Sequence, residues 1–287
     1  MKRDFCWPRT LADWGIGVFA VAVAYVSSPK YAYVVFWRIL NAAYPLLAAL
    51  YKLWRPQWRI DDWRTLILQR GLSVMTRHRP GFDLKLCVLG SDEVDRAVHA
   101  NAPLILFTAH FGLTLAAPRA LADQGHRVAL IANRSSYSDG WHWGLRKPLH
   151  VLSSGNDVML RARKVLEAGT PLICYVHYPL PSDPRTRHVG LSPNAFRLAH
   201  RLAATVLFLA SRLESDGTIT IEFYRPSQDQ LETEHAAELC AAEFARFVTD
   251  RTDWTCVLQR PKLADKGARG GDDAFKTSAT VLAASQN

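Results

Sequence analysis

Apolar residues along the chain change their spacing twice, and each change marks a different kind of element. From Trp14 to Val26 ("WGIGVFAVAVAYV") and from Tyr31 to Trp54 ("YAYVVFWRILNAAYPLLAALYKLW") apolar residues run nearly unbroken, parted only by Ser-Ser-Pro-Lys, which predicts two strongly apolar helices. Next, Ile60, Trp63, Leu66, Ile67 and Leu72 recur at helical spacing and predict a surface helix with a basic outer face. "DLKLCVLG" (Asp83 to Gly90) reads as a short strand, and "SDEVDRAVHA" as a helix with Ser91 as its N-cap. From residue 101 short apolar runs alternate with helical segments. "PLILFTA", "RVALIAN", "PLICYVH", "TVLFLASRL" and "TITIEFY" read as strands, while "LTLAAPRALADQG", "DVMLRARKVLEAG" and "SPNAFRLAHRLA" read as helices, the first two closed by Gly125 and Gly169. Residues 228–250 carry Leu231, Ala237, Cys240, Phe244 and Phe247 on one stripe and predict an amphipathic helix.

This alternation predicts an α/β fold: a central, mostly parallel sheet with helices on both faces, preceded by N-terminal apolar membrane-associating helices. The expected division is a membrane-associating helical segment at 1–80, an α/β domain at 81–262, and a tail at 263–287 whose loss of period and gain of Gly, Ser and Asp predict disorder.

Charge sharpens the reading of the N-terminal segment. The chain has a formal charge of +9. Residues 1–80 hold twelve Lys/Arg against four Asp/Glu, a difference of +8, together with six of the nine tryptophans. Basic side chains among apolar stretches and interfacial tryptophans suit an anionic membrane face better than nucleic acid. The first stretch, about 13 residues, is shorter than the roughly 20 needed to span, and the second contains Arg38, Asn41 and Pro45. Both read as helices embedded in or lying along the interface, with a spanning anchor and a signal peptide as the rival readings. The five cysteines are scattered, with no CxxC pair and no histidine at ligand spacing, so neither a disulfide framework nor a metal site is expected. No phosphate-binding glycine loop, dinucleotide fingerprint, zinc-protease helix or nucleophile elbow is present, and no cofactor is expected.

Candidate chemistry gathers where strands end. "LILFTAHFG" runs a buried-looking strand into His110, with Gly112 placed for a sharp turn that would bring backbone amides toward a reacting carbonyl. His177 ends "PLICYVH" and pairs with His110 if the two strands are parallel neighbours, or else merely contacts Tyr178 and the proline-rich loop. Asp183 is the candidate carboxylate beside His177; Asp139 is a second, or else a helix N-cap. Asn133, Arg134 and Arg146 follow the strand "RVALIA", and the arginines suit phosphate or remain solvated. Arg161, Arg163 and Lys164 read as an exposed helix face that would also attract an acidic carrier protein, and Glu222 as the polar side of its strand.

"LILFTAHFG", "LEAGTPLICYVHYP", "SPNAFRLAHRLAATVLFLASRLESDGTITIEF" and "RTDWTCVLQR", in this order, resemble the lipid A biosynthesis acyltransferases of the lysophospholipid acyltransferase group, over roughly residues 10–260. The resemblance implies an acyltransferase at the cytoplasmic face of a bacterial inner membrane. It would move a fatty acyl group from an acyl carrier protein or coenzyme A thioester to a lipid, glycolipid or other amphipathic acceptor. It also implies that His110 is the general base of an H-x4-[D/E] motif, and that an arginine such as Arg134 or Arg146 contacts phosphate or donor. The chain departs from that pattern twice: Leu115 stands where the motif has its acid, and His177 stands about where a second acid belongs. A catalytically inactive relative that binds lipid or acyl carrier protein as a partner subunit is therefore the alternative.

Overall fold

A computed structural model describes residues 7–54, 64–79, 81–109, 113–132, 143, 145, 149–153, 155–179, 189–191, 193–227 and 236–249. Three helices come first: α1 (Trp7–Val26), α2 (Pro29–Trp54) and α3 (Arg64–His78). Then follow β1 (Leu86–Leu89), α4 (Ser91–His99), β2 (Leu104–Thr108), a 3-10 turn (Thr114–Ala116), α5 (Ala117–Asp123), β3 (Ala129–Ala132), β4 (His150–Ser153) and α6 (Val158–Glu167). The rest comprises β5 (Leu172–Tyr175), β6 (His177–Pro179), β7 (Val189–Leu191), α7 (Pro193–Arg201), β8 (Thr205–Leu213), β9 (Ile219–Tyr224) and α8 (Ala236–Thr249).

Seven strands form one sheet in the order β1-β9-β8-β2-β5-β3-β4. Every pairing is parallel except that of β8 with β9, which are joined by a tight hairpin around Gly217 and run antiparallel. The expected mostly parallel α/β sheet is present, with the hairpin making it mixed. β4 carries no clear apolar run of its own and was not expected; it is held at the edge by β3. Beyond β5 the chain also folds back as the small antiparallel pair β6-β7.

Alternation along the strands divides the core in two. Leu104, Leu106, Leu130, Ile173, Leu207 and Leu209 face one side and meet α1, α2, α3 and α5; Ile105, Phe107, Cys174, Val206 and Phe208 face the other and meet α6, α7 and α8. The apolar N-terminal helices are thus part of the same buried cluster as the sheet. Two contacts fasten them. The Tyr33 hydroxyl donates to the Gly217 carbonyl, and the Trp37 ring lies where a Cβ on Gly217 would stand, 2.4 Å away. Arg79 donates to the carbonyls of Ala24 (2.6 Å) and Ser27 (2.7 Å), satisfying groups that the end of α1 leaves open.

Helix ends follow backbone chemistry. α4, α5, α6 and α7 all close with the paired back-bonds of a Schellman motif, on Asn101, Gly125, Gly169 and Ala203, each at positive φ. Ser91 is the first residue of α4 rather than its cap. The cap position is Gly90 (φ 73), where a Cβ would stand 2.2 Å from the Phe223 carbonyl oxygen. Residues 228–235, the beginning of the expected last helix, and the expected tail lie outside the described residues.

Candidate active site at the carboxyl edge of the sheet

Ligands of open parallel sheets bind beyond the carboxyl ends of the strands, and here the ends of β2 and β5 stop at one level while their neighbour β8 runs on to Leu213. β2 is buried at all five positions. Its last residue, Thr108, is in register with Tyr175 of β5 on one side and Leu209 of β8 on the other. The Val176 N–H continues the ladder by donating to the Thr108 carbonyl (3.2 Å). His110 follows two residues after Thr108, and His177 two residues after Tyr175, so two parallel neighbours lead into the two histidines from the same height. His177 opens β6, paired with Leu191 of β7. His110, Gly112, Asn133, Arg134, Asp139, Arg146 and Asp183 lie outside the described residues, as does the side chain of His177.

The described wall around this edge is made of hydroxyls. Thr108 Oγ1 donates to the Leu209 carbonyl (2.9 Å), tying β2 to β8. Thr114 Oγ1 and the Tyr175 hydroxyl share a hydrogen bond of 3.2 Å, which ties the turn after β2 to the end of β5. Ser211, two residues beyond Leu209 and on the same face of β8, is 5% exposed, and its hydroxyl has no partner among the described residues. None of these groups was singled out from the sequence. The signal was a hydroxyl two residues before each histidine, but only the register of β2, β5 and β8 makes them neighbours.

A carboxylate is harder to find here. Leu115 sits in the middle of the 3-10 turn, half-buried and packed against the apolar cluster beneath α1, α2 and α3. The first acid after His110 in the chain is Asp123, and it is held by the buried Arg119, whose Nε lies 2.7 Å from Asp123 Oδ1 and whose Nη2 lies 3.4 Å from Asp83 Oδ1. Glu222 is half-buried on β9, opposite Ala210, and its neighbours Ile221 and Phe223 are buried. Burial pushes the Cys174 and Cys240 thiols up to about 12, so both are protonated near neutrality and neither offers a nucleophile. Among the described residues no group of His, Cys, Asp and Glu could hold a metal ion. Arg161 and Arg163 pair with Asp157 (2.9 Å) and Glu167 (2.6 Å) along α6, as an ordinary helix surface does.

A second concavity, of about 410 Å³, opens at the opposite edge, where β8 begins, between α7 and α8. Phe196, Ala199, Val206 and Cys240 line it, with His200 and Arg225 at its polar margin. Arg225 Nη1 is bound to Glu93 (3.0 Å). This cavity lies away from the strand ends that lead to the histidines.

No family model matches the chain, and no curated protein matches it.

Proposed function

We propose that the chain is a membrane-surface acyltransferase of the lipid A acyltransferase type, with His110 as its base. The observation that carries this reading is the equal height of the carboxyl ends of β2 and β5, each followed after two residues by a histidine. In the proposed reaction, His110 takes the proton of an acceptor hydroxyl as the hydroxyl oxygen attacks the carbonyl of an acyl carrier protein or coenzyme A thioester. The tetrahedral intermediate collapses by breaking the C–S bond, and the proton passes to the departing thiolate. Backbone amides at Gly112 are the candidate donors to the developing oxyanion, Asn133, Arg134 and Arg146 the candidate contacts to phosphate, and His177 with Asp183 the candidate support for the imidazole. The acceptor is a lipid, glycolipid or other amphipathic alcohol at the cytoplasmic face of a bacterial inner membrane. No cofactor or nucleic acid enters the scheme.

One observation favours a second reading. With a half-buried Leu115 packed against the core in place of the motif's acid, His110 lacks the usual orienting carboxylate, whose loss from a catalytic triad lowers kcat by about 10⁴. A relative that binds lipid or acyl carrier protein without transferring the acyl group would look like this. The test is to follow label from acyl carrier protein and coenzyme A thioesters of several chain lengths into a membrane lipid extract by mass spectrometry. Transfer by the wild type and none by His110→Ala is the expected result. Equal background in both, with either donor, would establish the binding protein instead.

A further inference from the structure

The outer surface of α1 and α2 has the composition of a core but faces outward. Among the described residues, eight of the eleven exposed large hydrophobics belong to these two helices. On α1 the exposed residues Trp14, Val18, Ala22 and Tyr25 follow one another at helical spacing, and on α2 Ile39, Ala42, Leu46 and Leu50 do the same. Trp14 is 67% exposed and Leu46 66%. A patch of this kind on a soluble surface marks an interaction site.

Charge identifies the occupant. No Asp or Glu occurs between Asp13 and Asp61. From Trp14 to Leu50 the charged residues are Lys30 and Arg38, both basic and both exposed. An apolar face with exposed Trp and Tyr and purely cationic punctuation matches anionic headgroups over acyl chains. A protein partner with a mixed-charge rim has nothing opposite it here.

The packing decides how the helices sit. Pro29–Leu50 is long and apolar enough to cross a bilayer, with a mean hydropathy of 1.4. However, Tyr33, Phe36, Trp37 and Leu40 of the same helix are buried in the cluster shared with the sheet. A spanning α2 would draw these side chains out of that core and break the Tyr33–Gly217 bond.

We infer that α1 and α2 seat the protein in the plane of one anionic leaflet, with Trp14, Val18, Ile39 and Leu46 in the acyl region and Lys30 and Arg38 at the phosphates. This deepens the membrane part of the proposed function and rests on it, while standing apart from the chemistry.

The experiment adds full-length protein to sealed vesicles of phosphatidylcholine, with and without phosphatidylglycerol, and measures co-flotation and quenching by lipids brominated at two depths. Expected are binding that requires phosphatidylglycerol, and shallow quenching that Trp14→Phe diminishes. Leu46→Ser should lower partitioning at least tenfold and Arg38→Gln about fivefold, with unchanged urea midpoints because both positions are exposed. A dye on Ile39→Cys, with Cys6, Cys87 and Cys256 replaced by serine, should report a shallow position. A dye at the bilayer centre would mean spanning and overturn the inference. So would equal binding to neutral vesicles, or a dimer that buries Trp14 and ignores vesicles. Vesicle binding of the expected kind without acyl transfer would uphold this face and remove the enzyme reading; transfer to a detergent-dispersed acceptor without vesicle binding would do the reverse.

Discussion

The two faces of the sheet are covered by helices of opposite character. On one, α6, α7 and α8 bury apolar residues and turn charged ones outward, where Arg161–Asp157 and Arg163–Glu167 pair along α6. The core beneath them is aromatic: Phe107 lies 4.5 Å from Phe196, and Phe208 lies 5.1 Å from Phe244, between ring centroids. On the other, α1 and α2 bury Ile16, Ala20, Val23, Tyr33, Phe36 and Trp37 and still show an apolar stripe outward. Burial against the sheet accounts for one apolar side of a helix. The second apolar side is left uncovered among the described residues, and it is this side that the proposed seating in a leaflet would use.

The comparison breaks most readily at the aromatic core. Phe244→Ala removes a ring that contacts Phe107, Phe208 and Phe247, and is expected to cost about 3–5 kcal/mol in urea unfolding, whereas Leu46→Ser on the outer face should change stability by no more than about 0.5 kcal/mol. A large loss from Leu46→Ser would mean that its stripe is covered by protein in solution. Next in size is the joint between α2 and the sheet. Gly217→Ala places a Cβ against Trp37 at a backbone of φ +83, so a loss of about 2 kcal/mol is expected, and no loss would show that α2 is not anchored there.

Two smaller effects sharpen the contrast. Ala203 closes α7 in the left-handed conformation (φ 45) where Gly125 and Gly169 close their helices, so Ala203→Gly should raise stability by about 0.5–1 kcal/mol, and destabilisation would contradict that end geometry. At the β8-β9 hairpin, hydrogen bonds from Thr220 and then Arg212 lower the Glu214 carboxyl, and those from Lys85 and then Thr218 hold Asp216 well below the carboxylate range. Both folded-state values are depressed. Their contribution is therefore complete above the unfolded carboxylate range and is lost as pH falls through the folded values. Denaturation midpoints of wild type and Asp216→Asn should converge in acid; a constant gap from pH 7 to pH 3 would remove the ionic contribution.

How much was legible depended on the range over which each feature is specified. Strands β2, β3, β5, β8 and β9 and helices α4 to α8 declared themselves through local period, and α5 and α6 also through glycines at their ends, whereas the short pair β6-β7 was not read from the sequence. β4 did not, because its four residues are a strand only by virtue of β3 beside them. The antiparallel step at β8-β9 was hidden for the same reason: adjacent apolar strands look alike whichever way they pair. Among candidate site residues, His110 and His177 were visible as histidines at strand ends, but Thr108, Thr114, Tyr175 and Ser211 were not, since a hydroxyl in an apolar run has no distinctive local pattern.

The chain by itself determined the α/β class, the order of its principal helices and strands, the absence of acid between Asp13 and Asp61 and a leucine rather than an acid at position 115, because these are properties of residue type and spacing. Tertiary structure decided that β2 lies between β5 and β8, that the ends of β2 and β5 share one level, and that α1 and α2 bury one side in the sheet's core and leave the other outward. Those facts come from pairing and packing between segments far apart in sequence. A helix apolar all round carries no mark of which side will meet protein until the sheet is there to cover it.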